Sequence, residues 1–139
     1  MEITEKQHRE LEGVFKKYKA VFAYLFGSRA TRRETGNSDF DIAVVLPEKL
    51  DKSQRFAMRC KMVEDLSRVL NNKNVEIVVL NDNNSILFKF VIIHEGKIIY
   101  EQDHGARVIF ELKTMNDYYD FSPFIEAYNR AYLERALSS

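Results

Sequence analysis

Tryptophan is absent from this chain of 139 residues, cysteine occurs once, proline twice and glycine five times. With Cys60 alone no internal disulfide can form, which suits a reducing compartment, so a cytoplasmic protein is expected. Scarce Gly and Pro, with 45% hydrophobic and 30% charged residues, exclude a low-complexity or disordered chain. Charge of one sign is lacking too: 21 basic residues balance 21 acidic ones. No overall field then draws the protein to nucleic acid or to an anionic membrane, and neither is expected as a direct partner. No apolar run approaches the roughly 20 residues of a membrane span. The opening residues, Met1 to Lys6, lack the apolar centre of a signal peptide. The expectation is one domain over residues 1–139, long enough to bury a real core.

What is present is a regular alternation of helical and strand patterns. Thr4 and Gln7 have capping-box spacing, and Leu11, Val14, Phe15 and Tyr18 follow at helical intervals, predicting a helix over 4–18. Val21 to Phe26 is an unbroken apolar run stopped by Gly27, which reads as a buried strand. Residues 29–35 read as a short basic helix and 36–38 as a turn. A second strand is expected over Asp39–Leu46, ended by Pro47. A helix capped by Asp51 or Ser53 runs to about Leu70, with Phe56, Cys60, Val63, Leu66 and Leu70 as its apolar face. Val75–Leu80 is a third strand, 84–94 a helix closed by Gly96, and 98–100 a short edge strand. Residues 104–136 are helical, with an interruption expected near Ser122-Pro123. This order gives an α/β (α+β) domain with a small mixed sheet flanked by helices, and a helical C-terminal tail over about 104–139 packed on it.

The chemistry concentrates around Gly27-Ser28 and, ten residues on, Asp39-Phe40-Asp41. Residues i and i+2 of a strand share a face, roughly 6.5–7 Å apart. Asp39 and Asp41 therefore repel one another unless a cation lies between them, and oxygen ligands of this kind suit Mg²⁺ or Mn²⁺. Their strand is otherwise apolar, so carboxylates without a cation would carry a desolvation penalty of several kcal/mol. A Gly-Ser turn leading towards a helix start offers close backbone approach and free N–H groups to a phosphate. Glu76 places a third acid in another apolar strand that can lie beside the second. Together these features describe a nucleotidyl-transfer site.

Gly27-Ser28 followed at that distance by Asp39-Phe40-Asp41 resembles the signature of the DNA-polymerase-β-type nucleotidyltransferase superfamily. Four stretches, Phe26-Gly27-Ser28-Arg29-Ala30, Ser38 to Val44, Val75 to Leu80 and His94 to Glu101, extend the likeness over nearly the whole chain. Within the superfamily the chain resembles the minimal nucleotidyltransferase antitoxins of the HEPN/MNT (HepT/MntA) toxin–antitoxin family. The resemblance implies a palm-like nucleotidyltransferase fold, ATP as substrate and two Mg²⁺ ions held by Asp39, Asp41 and Glu76 as catalytic and metal-binding residues. Gly27, Ser28 and Arg29 would bind the nucleotide's phosphates. Glu76 would complete one ion's ligands or take the proton of the acceptor. The implied acceptor is a tyrosine of a HEPN-domain ribonuclease toxin, the partner in a hetero-oligomeric complex, which receives AMP while pyrophosphate leaves. Two departures stand out: Arg32 occupies a place where many relatives have Gly, and the third acid is Glu76 where Asp is common. Arg32 and Arg33 are candidates for further phosphate or partner contacts, or for a solvated helix face. The same residues also allow an antitoxin that occludes its toxin without catalysis, or a transferase for a small acceptor of the aminoglycoside type.

Other residues have plainer readings. His8, His94 and His104 show no ligand spacing, Cys60 is expected in the core, and Asp82 is a runner-up third acid with turn chemistry as its first role. Tyr118, Phe121, Ile125, Tyr128 and Tyr132 form a stripe at helical spacing, read first as core packing and second as partner docking.

Overall fold

The computed structural model describes residues 3–27, 40–72 and 74–138. The expected short helix at 29–35 and turn at 36–38 lie outside them. Helix α1 (Glu5–Lys17) starts at a full capping box: the Thr4 hydroxyl accepts from the Gln7 amide at 3.1 Å and the Gln7 side chain accepts from the Thr4 amide at 3.0 Å. Strand β1 (Phe22–Phe26) and strand β2 (Phe40–Val45) follow. Helix α2 (Lys52–Leu70) is capped in the same way by Asp51 and Gln54, and ends at Asn71 in the left-handed conformation, φ 50°. Strand β3 (Val75–Val79), a 3₁₀ turn at Leu80–Asp82, helix α3 (Ile86–Glu95), strand β4 (Lys97–Glu101) and helix α4 (His104–Ser138) complete the order.

The sheet runs β3-β2-β1-β4. β1 is antiparallel to both β2 and β4, whereas β2 and β3 are parallel and joined through α2. Apolar residues on both faces of the central strands demand cover on both sides, and three layers result. On one face Ala23, Leu25, Ile42, Val44 and Ile77 pack against Leu11 and Phe15 of α1 and Met62, Leu66 and Leu70 of α2. On the other, Phe22, Tyr24 and Ala43 meet Ile92 of α3 and Phe110 of α4. Polar ties fasten the layers. The Tyr18 hydroxyl, just past α1, donates to Asp65 of α2 at 2.6 Å. The Tyr24 hydroxyl donates to Glu111 of α4 at 2.6 Å, and Arg107 bridges Glu111 and Glu101.

Three expectations need correction. Phe56 is 62% exposed and Cys60 is exposed, so neither belongs to the core. The buried stripe of α2 is Met62, Leu66 and Leu70 with Met58 alongside, centred roughly 100° round the helix from the positions 56 and 60. Apolar residues occur on both sides of α2, and only contact with the sheet selects one. Second, α4 is continuous and carries Pro123 inside it. Proline loses its own N–H bond and crowds one carbonyl, but the flanking turns can still form. Third, the aromatic stripe packs on the domain only at its start and is nowhere part of the buried core. Tyr118 stacks on Phe90 at 3.7 Å, whereas Phe121 and Tyr128 stand exposed beyond it. The side chains of Ile125 and Tyr132 lie outside the described ones.

Candidate active site

Strand direction brings the chemical residues to one end of the sheet. β1 ends there just before Gly27, while β2 and β3 begin there with Asp41 and Glu76 near their first residues. Asp41 pairs with Phe26 across the antiparallel side and with Glu76 across the parallel side. Paired residues in register point to the same face, and neighbouring strands lie about 4.8 Å apart. The two carboxylates thus sit side by side, Asp41 half-buried and Glu76 exposed. The Phe40 amide donates to the Asn74 carbonyl at 2.9 Å, carrying the β2–β3 pairing past this end.

Gly27 turns away from the sheet at φ 77°, a conformation that costs any other L-residue steric strain. Its missing side chain also matters. A Cβ there would lie 3.2 Å from the Asp41 Cγ and 3.4 Å from its Cβ, with Oδ2 closer still. The turn backbone therefore rests directly against the Asp41 carboxylate. Below Asp41, Phe26 is met edge-on by Phe88 of α3 at 5.7 Å, giving the carboxylate pair an apolar wall. Phe88 escaped sequence reasoning, because only the cross-strand pairing of Phe26 with Asp41 puts its partner Phe26 on the Asp41 face.

Of the sequence candidates, Gly27, Asp41 and Glu76 are brought together. Ser28, Arg29 and Asp39, along with Arg32 and Arg33, lie outside the described residues. Among the described residues no group of three His, Cys, Asp or Glu is gathered closely enough to hold a metal ion. Asp41 and Glu76 place carboxylate oxygens at this end, donors of the kind that suits a hard divalent ion.

Asp82 is not part of this constellation. It follows β3 at the opposite end of the strand, where Arg55 grips both its oxygens at 2.9 and 2.6 Å. That hydrogen bonding holds its carboxyl below the ordinary range, a structural ion pair in a turn. The histidines are equally dispersed: His8 meets Glu12 at 3.2 Å, His104 meets Glu101 at 2.6 Å, and His94 stacks on Phe90.

Residues 9–105, from α1 to the start of α4, match the family described as Polymerase beta, Nucleotidyltransferase. The chain belongs to this nucleotidyltransferase family. A search of curated proteins by sequence finds no match. Among solved structures, a chain of a toxin–antitoxin complex with AMP-PNP superposes with a TM-score of 0.69 at 23% identity, over 94% of this chain and 98% of that one. A chain of an MntA–HepT toxin–antitoxin complex gives 0.66 at 21% identity, over 96% and 99%. A third, from the complex of a tri-AMPylated Shewanella oneidensis HEPN toxin with an MNT antitoxin, gives 0.64 at 21%, over 94% and 96%. The likeness is one of fold, and coverage of 94% is too large to leave α4 out. In this nucleotidyltransferase domain no helix among the described residues is long and apolar enough to cross a membrane.

Proposed function

We propose that this nucleotidyltransferase is an antitoxin that transfers AMP from ATP to a tyrosine hydroxyl of a HEPN-domain toxin. The observation that carries the reading is the register of Asp41 and Glu76, with the Gly27 turn laid against Asp41. Acceptor oxygen bonds to the α-phosphorus, the bond from that phosphorus to the bridging oxygen breaks, and pyrophosphate departs. A tyrosine hydroxyl, with an ordinary pKa near 10, keeps its proton at neutral pH and needs a base. Glu76 supports that role because it is the exposed member of the pair, open to a protein acceptor. Asp41, half-buried against the turn, is the member suited to a fixed charge beside the nucleotide. Gly27 brings backbone close, and Ser28 and Arg29 directly after it are proposed to hold the phosphates, with Asp39 sharing the metal-binding role of Asp41 and Glu76. Mg²⁺ bound by those acids would neutralise the charge that develops on the attacking and leaving oxygens. AMP added to a toxin adds anionic charge and bulk, which would oppose RNA entering a ribonuclease site. The fold neighbours, solved in toxin–antitoxin complexes, one with a tri-AMPylated toxin, support the choice of acceptor. A protein confined to the cytoplasm with its toxin would meet both ATP and Mg²⁺ there.

The test uses the purified chain, α-labelled ATP, Mg²⁺ and a purified candidate HEPN-domain toxin. Label should appear on a toxin tyrosine, identified by mass spectrometry, and should vanish with EDTA or with Asp41→Asn. Toxin neutralised by wild-type protein without any label would replace this reading with occlusion. Label only on a small hydroxylated compound would replace it with a small-molecule transferase.

A further inference from the structure

The distal half of α4 carries a face that nothing in the described part of the chain covers. Nearer its start, the same side of the helix packs inward: Phe110 meets Phe22 at 5.3 Å, Thr114 is buried, and Tyr118 stacks on Phe90. Helical periodicity carries that side on past the sheet. There Asp117, Asp120, Phe121, Phe124 and Tyr128 stand at i, i+3, i+4, i+7 and i+11, forming one stripe. Phe121 is 49%, Phe124 70% and Tyr128 67% exposed. From Lys113 to Arg130 the helix has no basic residue between them, and among the described residues neither aspartate forms an ion pair. Three such rings leave on the order of 350 Å² of aromatic surface in water. That is close to half of the roughly 800 Å² each side contributes to a standard interface.

We infer that this stripe docks onto the basic, RNA-binding face of the toxin, an inference that rests on the partner proposed above. Charge decides the occupant. A surface built to hold RNA presents guanidinium and ammonium groups to phosphates and flat groups to bases. Asp117 and Asp120 offer anions to the first, and the rings offer stacking faces to guanidinium planes and aromatic platforms. A second copy of this chain is disfavoured by the same logic, because between Asp117 and Tyr128 the stripe has no cation and would meet like charge stripe to stripe. Docking there would cover the RNA path while the sheet end with Asp41 and Glu76 stays open for the acceptor tyrosine.

Binding of the full chain to the purified toxin by biolayer interferometry, at about 50 mM and 500 mM salt, tests this. Phe124→Ala/Tyr128→Ala should weaken binding about 100-fold or more at either salt. Asp117→Asn/Asp120→Asn should weaken it about tenfold at low salt, with the difference lost at high salt. A short single-stranded RNA should compete with the wild-type chain for the toxin. All four side chains point to solvent or the domain edge, so thermal midpoints and ATP binding should match wild type. Wild-type affinity in both variants, or a chain-only dimer in sedimentation that Phe124→Ala/Tyr128→Ala dissolves, overturns the docking inference and leaves the proposed activity standing. Failure of the wild-type chain to bind the toxin overturns both.

Discussion

Replacing Gly27 with alanine tests the join between fold and chemistry. Gly27 leaves β1 at φ 77°, where an L-residue brings its Cβ against its own backbone at a cost of roughly 1–2 kcal/mol. For a domain of 139 residues that corresponds to a fall in Tm of about 3–7 °C. The new methyl group would also enter the space of the Asp41 carboxylate, whose Cγ lies 3.2 Å from the Cβ position. Either Asp41 turns away or the turn opens, and both move the carboxylate relative to Glu76. Misplacement of about 1 Å at a reacting centre costs on the order of 100-fold in rate. Gly13 supplies the control, since a Cβ there meets nothing within 4 Å and the residue lies inside α1. Gly13→Ala should raise stability by about 0.5–1 kcal/mol and leave AMP transfer unchanged. Calorimetric melts and label transfer at saturating ATP read both variants. A Gly27→Ala protein that melts with wild type and transfers AMP at the wild-type rate would refute the claim that this turn holds Asp41.

Glu76→Gln should leave the melting temperature within about 1 °C, because the side chain is exposed, while lowering AMP transfer about 100-fold or more; undiminished transfer would remove Glu76 from the reaction. Tyr24→Phe deletes the donor to Glu111 and should cost about 1–2 kcal/mol in urea unfolding. The Tyr24 hydroxyl is held well above its ordinary pKa, by burial first and then by its bond to Glu111. The folded chain keeps it neutral where the unfolded chain ionises, so its contribution is intact below about pH 10 and is lost as pH rises further. Urea midpoints from pH 8 to 11 should therefore fall more steeply for wild type than for Tyr24→Phe. On the acid side, Asp65 is held low by Tyr18 and Lys17, Asp82 by Arg55, and Glu101 by Arg107. Depressed carboxyls stabilise above their ordinary range and lose that contribution as pH drops through it, so the midpoint should fall below about pH 4. A midpoint unchanged down to pH 2.5 would contradict these assignments.

Much of this molecule follows from local patterns. Thr4 with Gln7 and Asp51 with Gln54 announce helix starts because a side chain three residues away can satisfy free amides without help from the rest of the fold. Gly27 ends an apolar run, and the alternation in β2 separates the Asp41 side from the Ile42 side, because strand geometry repeats every two residues. Local pattern ranks Glu76 ahead of Asp82 as the third acid, but which of the two stands beside Asp41 could not be settled that way. It depends on β3 running parallel to β2, which sets Glu76 beside Asp41 and sends Asp82 to the far end with Arg55. Phe56 and Cys60 show the same limit, since α2 has apolar residues on two sides and the sheet selects only the side of Met62 and Leu66. In α4 the aromatic period is plain in the chain, yet its meaning changes where the underlying layer stops, after Tyr118 and before Phe121. Periodicity reports what a helix or strand can bury. Which residues are buried, and which acids meet, is decided by partners distant in the chain.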